Sequence, residues 1–185
     1  MLPNLIVGNG VVVSCGSPAH VIEDGAVAVS GELITDVGPC EELRRKYPKA
    51  RFEDVGGRLI MPGMACTHTH LYSTLGLGMQ SDGPAPRVFS RILEGFWWRL
   101  DRALTEEDIW ISAMMPLIRC VRNGTTTIFD HHSSPNAISG SLDVIADAVT
   151  RVGIRALLAY EVSDRDGPEV ADEAIRENVR FMEQC

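Results

Sequence analysis

The chain has 185 residues, 45% hydrophobic and 23% charged, with a net charge of −8. This is enough for a sizeable core in one or two domains, with a composition ordinary for a globular protein. The acidic balance argues against nucleic acid as the main partner, and no run of about 18 apolar residues is present to span a membrane.

Leu5 to Ser14 is rich in valine and isoleucine around Gly8-Asn9-Gly10, which reads as two short strands joined by a turn. Val21 to Ser30 and Glu32 to Val37 repeat the theme, turning at Ser30-Gly31. Glu41 to Tyr47 reads as a short helix closed by Pro48, and Arg51 to Val55 as another strand before Gly56-Gly57. Residues 1–58 therefore predict a small, mostly antiparallel β unit.

Leu59 to Leu71 reads as a buried strand, interrupted by Pro62-Gly63 and ending in Thr67-His68-Thr69-His70. Residues i and i+2 of a strand point to one side, so His68 and His70 present two imidazoles in the same direction. Two converging imidazoles make half of a tetrahedral shell for zinc or a related divalent ion. Hydrogen-bonded core histidines or plain surface histidines would leave the same three-residue pattern. Cys66, on the strand itself, reads as a small buried hydrophobe.

Gly76, Gly78 and Ser81 to Pro86 predict a loop. Val88, Phe89, Ile92, Leu93, Phe96, Trp97 and Leu100 then recur at helical spacing. Trp97-Trp98 serves either core packing or the roof of a pocket. Thr105 is a good N-cap for a helix whose apolar face is Ile109, Ala113, Met114, Leu117, Ile118 and Val121, with Gly124 just past its end. Thr125 to Asp130 is a β-branched strand running into His131 and His132. A helix over Ser141 to Val152 closes at Gly153, Ile154 to Tyr160 is a third apolar strand ending at Glu161, and Pro168 opens a last helix over Glu169 to Gln184.

From residue 59 onward, strand and helix alternate three times. Such alternation implies a parallel sheet with right-handed crossovers, whose functional residues lie at the carboxyl ends of the strands. All three strands end in polar or ionisable groups: His68 and His70; Asp130, His131 and His132; Tyr160 and Glu161. That convergence predicts an active site without relying on any single motif. His131 or His132 is placed to contact substrate or polarise a leaving group, structural or surface histidines being the alternative. Asp130 is placed to hydrogen-bond a ligand histidine from behind. Five scattered cysteines form no C-x-x-C pair, and Met1-Leu2-Pro3-Asn4 lacks the charge and cleavage site of a secretory leader. A reduced, cytoplasmic setting is expected.

The small N-terminal β unit, Leu59-Ile60-Met61-Pro62-Gly63-Met64, Thr67-His68-Thr69-His70-Leu71 and Asn123-Gly124-Thr125-Thr126-Thr127 together resemble the amidohydrolase superfamily. Within it the chain is similar to the cytosine deaminase, guanine deaminase and chlorohydrolase branch, and to aminohydrolases of the SsnA type. Phe96-Trp97-Trp98-Arg99-Leu100-Asp101 and Asp130-His131-His132 are supporting stretches. The resemblance implies an α/β fold: an incomplete (β/α)₈ TIM barrel of about three βα units over residues 59–185, preceded by part of a β-sandwich over residues 1–58. It implies zinc or iron as the metal, with His68 and His70 as ligands. It also implies a third ligand histidine, an acid/base and a metal-binding aspartate on later strands that this sequence does not contain, so the chain reads as the N-terminal part of a longer enzyme. The basic residue that often follows the histidine pair is missing from Ser73 to Gln80.

The expected activity is metal-assisted hydrolysis of a carbon–nitrogen bond in a cyclic amidine or aminated heterocycle, with a small molecule as partner and a homo-oligomer as a further expectation. The rivals are an amidase or imidazolone-type hydrolase on the same scaffold, and an inactive fragment that only packs or binds a partner.

Overall fold

A computed structural model describes residues 2–80 and 87–185; the loop expected at Ser81 to Pro86 lies outside the described residues. The chain divides into two compact units, Met1–Pro62 and Gly63–Cys185.

The first unit contains β1 (Leu5–Ser14), β2 (His20–Ser30), β3 (Leu33–Pro39), α1 (Cys40–Lys46), β4 (Arg51–Asp54) and β5 (Leu59–Ile60). The strands run β3-β2-β1-β4 across the sheet, and β5 also pairs with β1. The sheet is mixed: β1–β2 and β2–β3 are antiparallel, while β4 and β5 lie parallel to β1. Leu5 to Ser14 is one strand, not the two expected. Asn9 takes a left-handed φ of 59° and the register shifts on either side of Gly10, so the chain bulges instead of reversing. Side-chain bonding holds that bulge: Asn9 Nδ2 donates to Asp54 Oδ1 at 2.6 Å. Ile6, Ala26, Ala28, Cys40 and Leu43 form the small core.

The second unit contains β6 (Met64–Thr69), a 3₁₀ turn (Leu71–Gly76), and a helical run of α2 (Phe89–Ile92), a π-helical turn (Leu93–Trp97) and α3 (Trp98–Ala103). Then come α4 (Glu106–Arg122), β7 (Thr125–His132), α5 (Ser141–Val152), β8 (Arg155–Tyr160) and α6 (Pro168–Gln184). The sheet is parallel throughout, in the order β6-β7-β8. These are three successive strand–helix units of a barrel wall. Among the described residues no helix is long and apolar enough to cross a membrane.

The Leu59 to Leu71 stretch is split at Pro62-Gly63, where its sequence places the interruption. Leu59–Ile60 pairs within the first unit, and β6 starts only at Met64. Gly63 marks the break, because a Cβ there would collide with the Thr126 side chain on β7. β6 is also less buried than expected: Met64 is 57% exposed. Among the described residues β6 pairs only with β7, so its other edge is uncovered.

Helix α4 starts as its sequence predicts, and with a full capping box. Thr105 Oγ1 accepts from the Asp108 N–H, while Asp108 Oδ2 accepts from the Thr105 N–H at 2.9 Å. Its inner face is Ile109, Ser112, Ala113 and Leu117; Ile118 and Val121, expected on that face, are exposed instead. Leu117, Ile128, Leu142 and Ile145 are the centre of the core between the sheet and its helices.

Helix α5 has no capping side chain of its own. Glu177, reaching over from α6 and 2% exposed, supplies the cap by accepting from the N–H groups of Gly140 at 3.1 Å and Leu142 at 3.2 Å. Arg180 grips the same carboxylate through Nε at 2.8 Å and Nη2 at 2.9 Å. Burial pushes the Glu177 carboxyl up, but Arg180 and the two N–H groups outweigh it and hold the group below the usual carboxylate range. A carboxylate depressed in the folded state contributes stability at neutral pH and loses that contribution on acidification. Glu177→Gln should therefore cost about 2 kcal/mol at pH 7, measured by urea denaturation, and the gap to the unaltered chain should narrow as pH falls below about 4.5. An equal gap at pH 7 and pH 3.5 would remove the charge from this account.

Candidate metal centre and adjoining pocket

The three parallel strands deliver their polar ends to one side of the second unit, and the histidines there separate into two environments. At the end of β6, the His68 and His70 rings lie with centroids 4.9 Å apart and planes 88° to one another. Strand alternation thus brings the pair together, as expected. His70 Nδ1 lies 2.7 Å from the carbonyl oxygen of His131. A carbonyl can only accept, so Nδ1 carries the hydrogen and the Nε2 lone pair is left free. A metal-ligating histidine is held in the same way, its far nitrogen donating to a fixed acceptor. The residues present therefore fit half of a divalent-ion site. Among the described residues, no group of three or more histidine, cysteine, aspartate or glutamate side chains is arranged to hold an ion.

At the end of β7, alternation separates the two adjacent histidines. His131 is exposed, with its ring centroid 5.3 Å from that of His70. Burial lowers its pKa and the nearby imidazoles of His70 and His68 lower it further, against the opposing pull of Glu161. His132 points the other way, into the core, and is 1% exposed. It packs edge-on between Tyr72 and Tyr160, at 5.5 and 5.7 Å. Its Nε2 lies 3.0 Å from Ser134 Oγ, whose own hydrogen goes to the Ala137 carbonyl, so the imidazole is the donor. Tyr160 is likewise internal, its hydroxyl accepting from the Ser134 N–H at 2.8 Å.

Asp130 is buried, and it acts on the main chain. Its Oδ1 accepts from the Leu71 N–H at 2.8 Å, fixing the residue that follows His70, while Oδ2 is buried without a partner. The expected bond to an imidazole is replaced by a bond to the backbone beside it. Burial pushes the Asp130 carboxyl up to about 6, against the opposing effect of the Leu71 N–H.

Next to His70 and His131 lies a cavity of about 280 Å³ with aromatic and aliphatic walls: Tyr72, Phe89, Leu93, Trp97 and Trp98. Asp101, Glu161 and Arg165 add charge to its lining. Trp97 and Trp98 both line this pocket and Trp97 also packs against the core, so both expected roles are filled. A larger open depression, about 790 Å³, lies in the first unit against Cys40, Arg44 and Phe52, and contains none of the histidines.

Tyr72, Asp101 and Arg165 were not singled out from sequence. Asp101 interrupts an apolar helical period directly after Leu100, and Arg165 follows the carboxyl end of a parallel strand, so each carried a usable signal. Tyr72 carried none, because its position depends on how the 3₁₀ turn folds back.

Burial drives the His132 pKa down to about 3, with the neighbouring His131 pushing the same way. A histidine depressed in the folded state contributes its full stability above its unfolded value and loses it as pH falls. The stability difference between the chain and His132→Asn should thus shrink by about 2 kcal/mol between pH 7 and pH 5. Thermal or urea unfolding at the two pH values measures it, and a constant gap would mean that the folded ring takes up a proton.

Residues 59–184 match the family model described as "Amidohydrolase family", and residues 25–50 match one described as an imidazolonepropionase-like composite domain of bacteria. A 5-methylthioadenosine/S-adenosylhomocysteine deaminase of Syntrophobacter fumaroxidans is 28% identical over 97% of this chain and 38% of its own length. A 5'-deoxyadenosine deaminase of Methanobrevibacter smithii is 32% identical over 85% of this chain and 34% of its own. The crystal structure of an adenosine deaminase from Xanthomonas campestris with bound zinc superposes with a TM-score of 0.74 at 26% identity, covering 98% of this chain and 40% of that one. The chain thus spans about two fifths of the length of such relatives. With the family match running through all three strand–helix units and across the histidine pair, the chain belongs to the amidohydrolase family.

Proposed function

We propose that this chain provides two metal ligands and one wall of the substrate pocket of an aminohydrolase, an enzyme that hydrolyses a carbon–nitrogen bond in a cyclic amidine or aminated heterocycle. The observation that carries this reading is the His70 imidazole, its Nδ1–H given to the His131 carbonyl and its Nε2 free, beside His68 at 4.9 Å. Zinc is the ion that best suits two imidazoles, and a zinc-bound deaminase is among the structural neighbours. When bound, such an ion supplies Lewis-acid activation of water.

The rest follows from the chain's own side chains. Phe89, Trp97 and Trp98 offer flat apolar surface to a planar ring, and with Leu93 they keep bulk water from it. His131, on the same cavity wall as His70, is placed to bond the leaving nitrogen. Glu161 lies near enough to favour the protonated form of that imidazole. His132 holds the strand end from inside. The deaminase names of the relatives support the reaction class. A second reading, an imidazolone-type hydrolase, is favoured only by the match at residues 25–50, in the unit that lacks the histidine pair.

Two imidazoles alone hold zinc loosely, since catalytic sites use three protein ligands. Dialysed chain should therefore retain well under one ion by elemental analysis, while added zinc should raise its melting temperature. His68→Asn and His70→Asn should each abolish that rise. His131→Asn should keep most of it, because the carbonyl that orients His70 is main chain. An unchanged zinc response in the first two variants would exclude this pair as ligands.

A further inference from the structure

Beside the histidines, the second unit encloses a cluster of charges around Arg165. Arg165, in the segment after β8, has a side chain only 9% exposed. Its Nη2 shares two hydrogens among three acceptors, Asp101 Oδ2 at 2.6 Å, Ser133 Oγ at 2.7 Å and Glu161 Oε2 at 3.0 Å. Its Cζ stands 5.1 Å from the Trp98 ring centroid, and its Nε 3.4 Å from Asp166 Oδ2. These partners come from three places: Trp98 and Asp101 from α3, Ser133 from just past β7, and Glu161 from just past β8.

We propose that Arg165 is a positioning residue that fastens the aromatic roof, Trp98 on α3 with Trp97 just before it, to the ends of β7 and β8 and so sets the height of the cavity above His70 and His131. Only the cavity's use as a substrate site rests on the aminohydrolase reading; the fastening itself does not.

Among the described residues the roof's apolar anchors are few: Leu100 is in the core, and Trp97 packs partly against it. Of the helical run Phe89–Ala103, only Leu100 and Asp101 are buried. Phe89 is 69% exposed, and the π-helical turn at Leu93–Trp97 gives up regular i to i−4 bonding in the middle of the run. Further ties lie at the surface, among them Arg102 Nε to Asp166 Oδ1 at 2.7 Å and Asn136 Nδ2 to the Arg102 carbonyl at 2.7 Å. Arg165 reaches inside. Without it Asp101, 2% exposed, would be a buried carboxylate lacking its cation, and α3 would relieve that by moving toward water. A lysine cannot substitute fully, because its single ammonium offers neither the second nitrogen that faces Asp166 nor a delocalised cation over the Trp98 ring.

Amide hydrogen exchange of the full chain tests this. Arg165→Gln should lower protection over residues 93–103 about tenfold, the effect of losing one charge-assisted bond, while protection over α5 stays as it was. In a Trp110→Phe background, where Trp97 and Trp98 are the only tryptophans, acrylamide quenching should rise in parallel. Arg165→Lys should recover part of the protection. Unchanged protection over residues 93–103, or an equal loss in α5, would overturn the proposal; complete recovery with lysine would do so as well, since a point charge would then suffice. No readout needs an ion or turnover, so failure here leaves the aminohydrolase reading standing, and failure of the zinc titration leaves this inference standing.

Discussion

The arrangement of the candidate site depends on one hydrogen bond, from His70 Nδ1 to the main-chain carbonyl of His131. It joins the ends of β6 and β7, decides which imidazole nitrogen is free, and does so through a group that no side-chain change at position 131 can remove. Asp130 reinforces it one residue away by holding the Leu71 N–H. The two strands can meet this way because they are parallel, and a register shift after Cys66 brings Thr69 opposite Asp130. Parallel pairing needs a covered crossover, and α4, with its capping box and its buried Ile109, Ala113 and Leu117, provides it. The core of the second unit thus acts on the chemistry indirectly, by fixing where two strand ends fall.

Much of this was legible in the sequence. Helices α4, α5 and α6 carried N-terminal signals or closing glycines together with apolar periodicity, and all three form close to the expected bounds. Strands β7 and β8 were legible as short apolar runs between those helices. The convergence of His68 with His70 followed from period-two geometry alone. What misled was local context that pattern cannot supply. Gly8-Asn9-Gly10 has the composition of a hairpin turn, yet pairing of β1 along its whole length with β2 converts it into a bulge. The strand that follows Pro62-Gly63 looks buried, yet Met64 lies open, on an edge uncovered among the described residues.

The polar lining of the cavity was the least legible part. Asp101, Ser133, Glu161 and Arg165 are distant in sequence and meet only because α3 lies beside the ends of β7 and β8. Single positions can suggest that each is unusual, but their mutual contact is a property of the assembled unit. The two adjacent histidines of β7 show the same limit from the other side. Both looked equally available to chemistry, and the pleat assigns one to the cavity and the other to the interior.

That pleat carries a consequence for how the strand can vary. Exchanging one apolar residue for another along Thr125 to Phe129 would leave every side chain facing as before. Deleting or inserting a single residue there would rotate the strand's exit by half a pleat, turning His132 outward and His131 into the hydrophobic interior. The carbonyl that now receives His70 would turn with them. Segment length at this point is therefore held more tightly than composition, and a frame slip of one position would exchange the functions of two identical neighbouring residues.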